Sequence, residues 1–112
     1  MRHGWAAASR AVLNSAAFLL LFSVSSQAQS GPARLFKTNC AECHGTDGNA
    51  NTAMGRSLRL RDLRSPAVQK RTDADLTDLI TNGLATMPAF KDKLTKDQIQ
   101  QQVAYLRQIA KK

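Results

Sequence analysis

Cysteine is nearly absent from this 112-residue chain: Cys40 and Cys43 are its only two, and they lie three positions apart. A disulfide between them would close a tiny loop and stabilise little, which excludes a disulfide scaffold. Histidine is equally scarce, with His3 and His44 alone. A structural zinc cage needs four ligands, and no second Cys/His pair exists to complete one. Acids are outnumbered, eight against sixteen Lys and Arg, for a formal net charge of +8. Such a balance favours acidic protein surfaces, anionic lipid or nucleic acid as partners. No nucleic-acid-binding motif accompanies the charge, so nucleic acid is not expected. Long apolar runs are missing too. The longest, Ala11 to Val24, is broken by Asn14 and Ser15, and a spanning helix needs roughly 20 predominantly apolar residues. No strand pattern and no internal repeat is evident.

The N-terminus carries Arg2 and Arg10 without an acid, then that short apolar stretch, then a small-x-small ending at Ser26-Gln27-Ala28. These are the parts of a secretory signal peptide. The expected division is a cleaved signal at 1–28 and a single domain at 29–112, a mature chain of 112 − 28 = 84 residues. No cysteine follows the apolar stretch, so no lipid anchor is expected. Two of the sixteen basic residues go with the signal, leaving 14 − 8 = +6. Only Phe36, Phe90 and Tyr105 remain as aromatics. A domain this small and this poor in aromatics struggles to bury enough surface unaided. A large apolar cofactor would supply the missing core.

What the chain does have is Cys40-x-x-Cys43-His44 in the stretch KTNCAECHGTDG. A thioredoxin-type redox pair sits where a strand enters a helix, and no strand precedes Cys40. C-x-x-C-H is also the attachment sequence of c-type haem. Two thiols spaced by two residues match the two vinyl groups of a porphyrin, and the adjoining histidine falls beneath the iron as proximal ligand. Export agrees with this reading.

A second axial ligand must then come from methionine. Met54 lies in the Gly/Asn/Thr-rich loop GTDGNANTAMG, and Met87 in ITNGLATMPAF directly before Pro88. A lone methionine is usually a gap-filling core residue. Met87 differs because it follows a helix that stops at Gly83 and precedes a proline that stiffens the chain. The coarse elements are all helical. Pro32 to Cys43 reads as a first helix with Leu35 and Phe36 on its inner face. Ser65-Pro66 starts a single turn running to Lys70. Thr72 and Asp75 open a helix with Leu76, Leu79 and Ile80 on one stripe. Thr95 and Gln98 form a fuller capping box for a last helix carrying Ile99, Val103 and Leu106.

Taken in order, C-x-x-C-H, a capped helix, G-x-x-x-M-P-x-F and a C-terminal amphipathic helix resemble the class I c-type cytochromes, over roughly Gly31 to Lys112. The resemblance implies an all-α, cytochrome c-like fold, with three main helices and short helical turns around one covalently bound haem c. It implies covalent attachment at Cys40 and Cys43, with His44 proximal and Met87 distal to the iron. It also implies that the first and last helices cross beside the haem, with Phe36 meeting Leu106 or Tyr105.

The chain departs from the family pattern twice. Pro32 stands where the family often has a glycine at the helix crossing, so the crossing is expected to begin at Ala33 or to be looser. Gly55-Arg56-Ser57-Leu58 stands in place of Gly-Pro-x-Leu. The Arg56 carbonyl is expected to accept the hydrogen bond from the histidine's other nitrogen, on a loop less rigid than proline would make it.

The functional expectation is a one-electron carrier and not an enzyme, a soluble monomer in the periplasm with His/Met ligation. The stretch GRSLRLRDLRS carries Arg56, Arg59, Arg61 and Arg64. One reading makes this a solvated face whose leucines, Leu58 among them, cover the haem. The sharper reading sends one or two of the arginines, Arg59 and Arg61, to the propionates, where a guanidinium suits a carboxylate. The remaining cations, with Lys91 and Lys93, would face membrane or periplasmic redox partners with acidic docking surfaces. The alternatives are a haem peroxidase or gas sensor with a labile sixth ligand, and a subunit that feeds electrons into one larger complex.

Overall fold

The computed structural model describes residues 31–112. The expected signal segment lies outside the described residues. Six helices follow in order: α1 Pro32–Asn39, α2 Ala41–His44, α3 Ala53–Ser57, α4 Pro66–Gln69, α5 Asp73–Asn82 and α6 Lys96–Ile109. Among the described residues there is no strand, and none of the helices is long and apolar enough to cross a membrane.

Each boundary has a local cause. Pro32 occupies the first turn of α1, where its missing N–H costs nothing. The expected first helix is interrupted at Cys40, whose φ of −121° leaves the helical range, and it resumes as α2 up to His44. Gly45, at φ 77°, stops α2 in a conformation that L side chains resist. The capping boxes expected at Thr72/Asp75 and Thr95/Gln98 are both formed in full. Gly83 ends α5 at φ 74°. The loop containing Met54 turns out to hold a helix, α3, because Thr52 caps it by accepting from the Gly55 N–H at 2.8 Å.

The core lies where α1 and α5 pack on α6. Phe36, Leu76, Ile80, Ile99, Val103, Leu106 and Ile109 are all buried in one cluster. Phe36 meets Tyr105 with ring centroids 5.3 Å apart and planes at 53°. That tilted arrangement suits two aromatic quadrupoles, and it is the contact expected of the terminal helices. Pro32 at this crossing is accommodated by a polar latch. The buried Gln102 donates from Nε2 to the Pro32 carbonyl oxygen at 3.0 Å. The other end of that amide, Oε1, is buried without a partner, a cost of about 1–3 kcal/mol offset against the latch.

Candidate haem site

Both thiols and the imidazole are delivered by one helical turn. The His44 N–H donates to the Cys40 carbonyl at 2.9 Å and the Cys43 N–H to the same oxygen at 3.3 Å. Helix α3 clasps this turn from outside. Thr52 Oγ1 donates to the Cys43 carbonyl at 2.8 Å, and the Ala50 N–H donates to the His44 carbonyl at 2.8 Å. Gly55 is required at the clasp: a Cβ there would overlap the carbonyl oxygens of Ala50 and Cys43.

Met87 comes from a different kind of structure. The Leu84 N–H donates to the Met87 carbonyl at 3.1 Å and the Met87 N–H to the Leu84 carbonyl at 2.9 Å, a two-residue hairpin. Its first turn residue, Ala85, sits at φ 52°. The chain beyond Pro88 is then tied back to α5, with the Phe90 N–H donating to the Ile80 carbonyl at 3.0 Å and Lys91 to Thr81 at 3.2 Å.

Between these two structures lies a hollow in two lobes. The larger has a volume of about 410 Å³ and is walled mainly by Phe36, Leu63, Val68, Leu76, Leu79, Ile80 and Leu106. The smaller, of about 280 Å³, opens beside Cys43, Pro88, Phe90 and Lys93. Cys40, His44, Leu58, Leu60, Thr86 and Met87 line both lobes. One hollow therefore joins the thiols, the imidazole and the thioether.

Of the residues expected at the site, Phe36, Cys40, His44, Leu58, Arg61 and Met87 line the larger lobe, and Cys43 the smaller. Arg59 lines neither. Its φ of 54° marks the turn that leads the chain out of α3, so it serves the backbone there. Met54 lies outside both lobes and is 44 % exposed. Sequence reasoning missed Arg71, which lines the larger lobe beside Arg61. Among the described residues neither of these guanidinium groups makes a hydrogen bond or an ion pair, whereas Arg64 pairs with Asp62 at 2.8 Å.

The electrostatics suit a neutral ligand set. Burial lowers the pKa of His44, which favours the uncharged imidazole that binds metal. The Cys40 thiol is pushed up to about 11, first by burial and then by the neighbouring Cys43. The bond expected from the histidine's other nitrogen to the Arg56 carbonyl is not made. His44 Nδ1 is buried without a partner, and the Arg56 carbonyl instead accepts from the Arg59 N–H at 3.2 Å.

Two free thiols at C-x-x-C spacing, a neutral imidazole with an orphaned nitrogen, a thioether and two unpaired guanidiniums around one apolar hollow fit a haem. The family described as cytochrome c oxidase, cbb3-type, subunit III matches residues 27–106. The chain belongs to the cytochrome c family. It is similar to cytochrome c6 of Leptolyngbya boryana, with 34% identity over 79 residues covering 70% of this chain and 89% of that protein. Cytochrome c6 of Aphanizomenon flos-aquae is 35% identical over 77 residues, covering 66% of this chain and 82% of the relative. Among solved structures, the KustC0563 c-type cytochrome is similar at 31% identity and a TM-score of 0.65, over 70% of this chain and 96% of that one. This cytochrome is thus an all-α haem c protein that carries electrons rather than catalysing a reaction, with one covalently bound haem for which Cys40 and Cys43 provide the C-x-x-C-H motif.

Proposed function

We propose that this cytochrome is a periplasmic one-electron carrier with His44 and Met87 as its two axial ligands. Cys40 and Cys43 would hold the haem covalently, Phe36 and Leu58 would pack against it, and Arg61 with Arg71 would meet its carboxylates. The observation that carries the reading is the shared lining: His44 and Met87 both border both lobes of the hollow. When bound, the haem supplies a ferric–ferrous couple, which a soft thioether ligand biases toward the reduced state.

The chain's own residues do the rest. The backbone hairpin Leu84–Met87 presents the thioether and is closed by its own pair of backbone hydrogen bonds. Buried Val68, Leu76, Ile80 and Leu106 give the larger lobe apolar walls, beside which a charge is felt more strongly than in water. With both axial positions filled by side chains, no position is left for a substrate or a gas, which disfavours the peroxidase and sensor readings. The N-terminal signal at 1–28 directs export, and the mature domain at 29–112 works as a monomer. Lys91 and Lys93, both exposed beside the Met87 segment, suit a redox partner with an acidic docking surface. The family description names an oxidase subunit, so the second reading is a subunit that feeds electrons into one larger complex. Co-purification with a membrane oxidase would favour it.

The deciding measurement is the far-red sulfur-to-iron absorbance of the oxidised, haem-loaded protein. The expected result is a band present in the parent and in Met54→Ala and absent in Met87→Ala. A parent without the band would overturn His44/Met87 ligation and bring the sensor or peroxidase reading forward.

A further inference from the structure

The most densely bonded side chain of the described structure lies outside the hollow. Arg107, in the last turns of α6 and half-buried, donates five hydrogen bonds, all to the short junction between α4 and α5. Its Nη2 reaches the Arg71 carbonyl at 2.6 Å and Asp73 Oδ1 at 2.8 Å. Nε reaches the same Asp73 oxygen at 3.1 Å, and Nη1 takes the carbonyl and the side-chain oxygen of Gln69 at 3.0 and 3.2 Å. Gln69 passes the connection on: its Nε2 donates to the Leu63 carbonyl at 2.8 Å and to that of Leu106 at 3.3 Å.

One planar cation therefore pins two segments that wall the larger lobe, the one carrying Arg71 and the one carrying Arg61 and Leu63. Lysine cannot replace it, because a single ammonium has three donors and no fork. Asp73 offsets its charge at contact distance, so its effect on the hollow runs through geometry more than through its own field. Arg71 is different. It is exposed, unpaired among the described residues, and borders a lobe with apolar walls.

We infer that Arg107 is a positioning residue for electron transfer: it holds the Gln69–Asp73 junction so that the Arg71 guanidinium stays at the hollow, where a haem carboxylate meets it, and thereby helps set the reduction potential. The inference rests on the haem reading above. A cation held beside the carboxylates favours the ferrous state, which carries one positive charge fewer, so losing it lowers the potential.

The test uses four haem-loaded proteins: the parent, Arg71→Gln, Arg107→Lys and the double variant, each measured for equilibrium reduction potential and for the far-red band. Arg107→Lys keeps the total charge and removes the fork. The expected result is a lower potential in both single variants and a double variant no lower than Arg71→Gln, the non-additivity of residues acting through one another. Three results would overturn it: a parent-like potential in Arg71→Gln, a parent-like potential in Arg107→Lys despite a lowered melting temperature, or full addition in the double variant. A parent lacking covalent haem or the far-red band would instead sink the underlying reading, and the two failures are told apart on the first sample.

Discussion

The two sides of the hollow are built by different means. On the histidine side, the ligand sits in a helical turn that a second helix clasps through Thr52, Ala50 and Gly55. On the methionine side, the ligand sits on a hairpin closed by one pair of backbone hydrogen bonds, with alanine rather than glycine at positive φ. The first arrangement depends on close packing and tolerates no added atom. The second adds backbone conformation to close packing: a Cβ at Gly83 would overlap the Met87 carbonyl oxygen, and Ala85 at positive φ carries some strain. A ligand attached by covalent neighbours in sequence is held by fit, and one that must reach across the hollow is held by a strap.

Substitutions can break or sharpen this contrast. The largest effect is expected at the clasp. Gly55→Ala would drive a Cβ into two backbone oxygens, and backbone cannot move aside as a side chain can. A loss of about 3 kcal/mol is expected, read by urea unfolding followed by circular dichroism. A loss below about 1 kcal/mol would show that α3 shifts freely on α2 and that the clasp is not tight.

A smaller effect of opposite sign is expected on the strap. Ala85 holds φ 52°, a conformation that costs an L residue roughly 1–2 kcal/mol. Ala85→Gly removes that cost and returns part of it as extra freedom of the unfolded chain. The net expectation is a gain of up to about 1 kcal/mol with the far-red band unchanged. A loss of the band would mean that Ala85 positions Met87 through its side chain, and that the two sides are held alike.

The smallest effect concerns the loop after α3. Its hydrogen bonds from Arg64 hold the Asp62 carboxyl below its ordinary value of 3.8. A depressed folded value means that the unfolded chain binds the proton first. The stability is therefore present above that ordinary value and lost as pH falls through the lower folded one. Exposure of the pair keeps the contribution small. Comparing melting temperatures of the parent and Asp62→Asn across that acid range should show a shallower acid decline in the variant. Parallel curves would remove the ion pair from any account of this loop.

Much of the site is legible in the chain because its signals are local. The thiols and the imidazole lie within one turn of helix, so spacing alone brings them together. Capping by Thr72 and Thr95 involves partners three residues away, and such short bonds leave a sequence signature. Helix α3 was not legible because the stretch leading into it, rich in Gly, Asn and Thr, reads as loop. Its cap at Thr52 and its packing on Cys43 outweigh those weak propensities.

The amino-acid sequence by itself determined the haem motif and the capped helices, since each rests on interactions between near neighbours. His44 and Met87, far apart in the chain, were candidates that only the fold sets around one hollow. Tertiary structure alone decided which arginines border the hollow, replacing Arg59 with Arg71. It also joined Gln102 to Pro32 across 70 positions and Arg107 to Arg71 across 36. Bonds over such distances leave no periodicity in the chain. They exist only once burial of Phe36, Leu76 and Leu106 has brought the terminal helices and α5 onto one core.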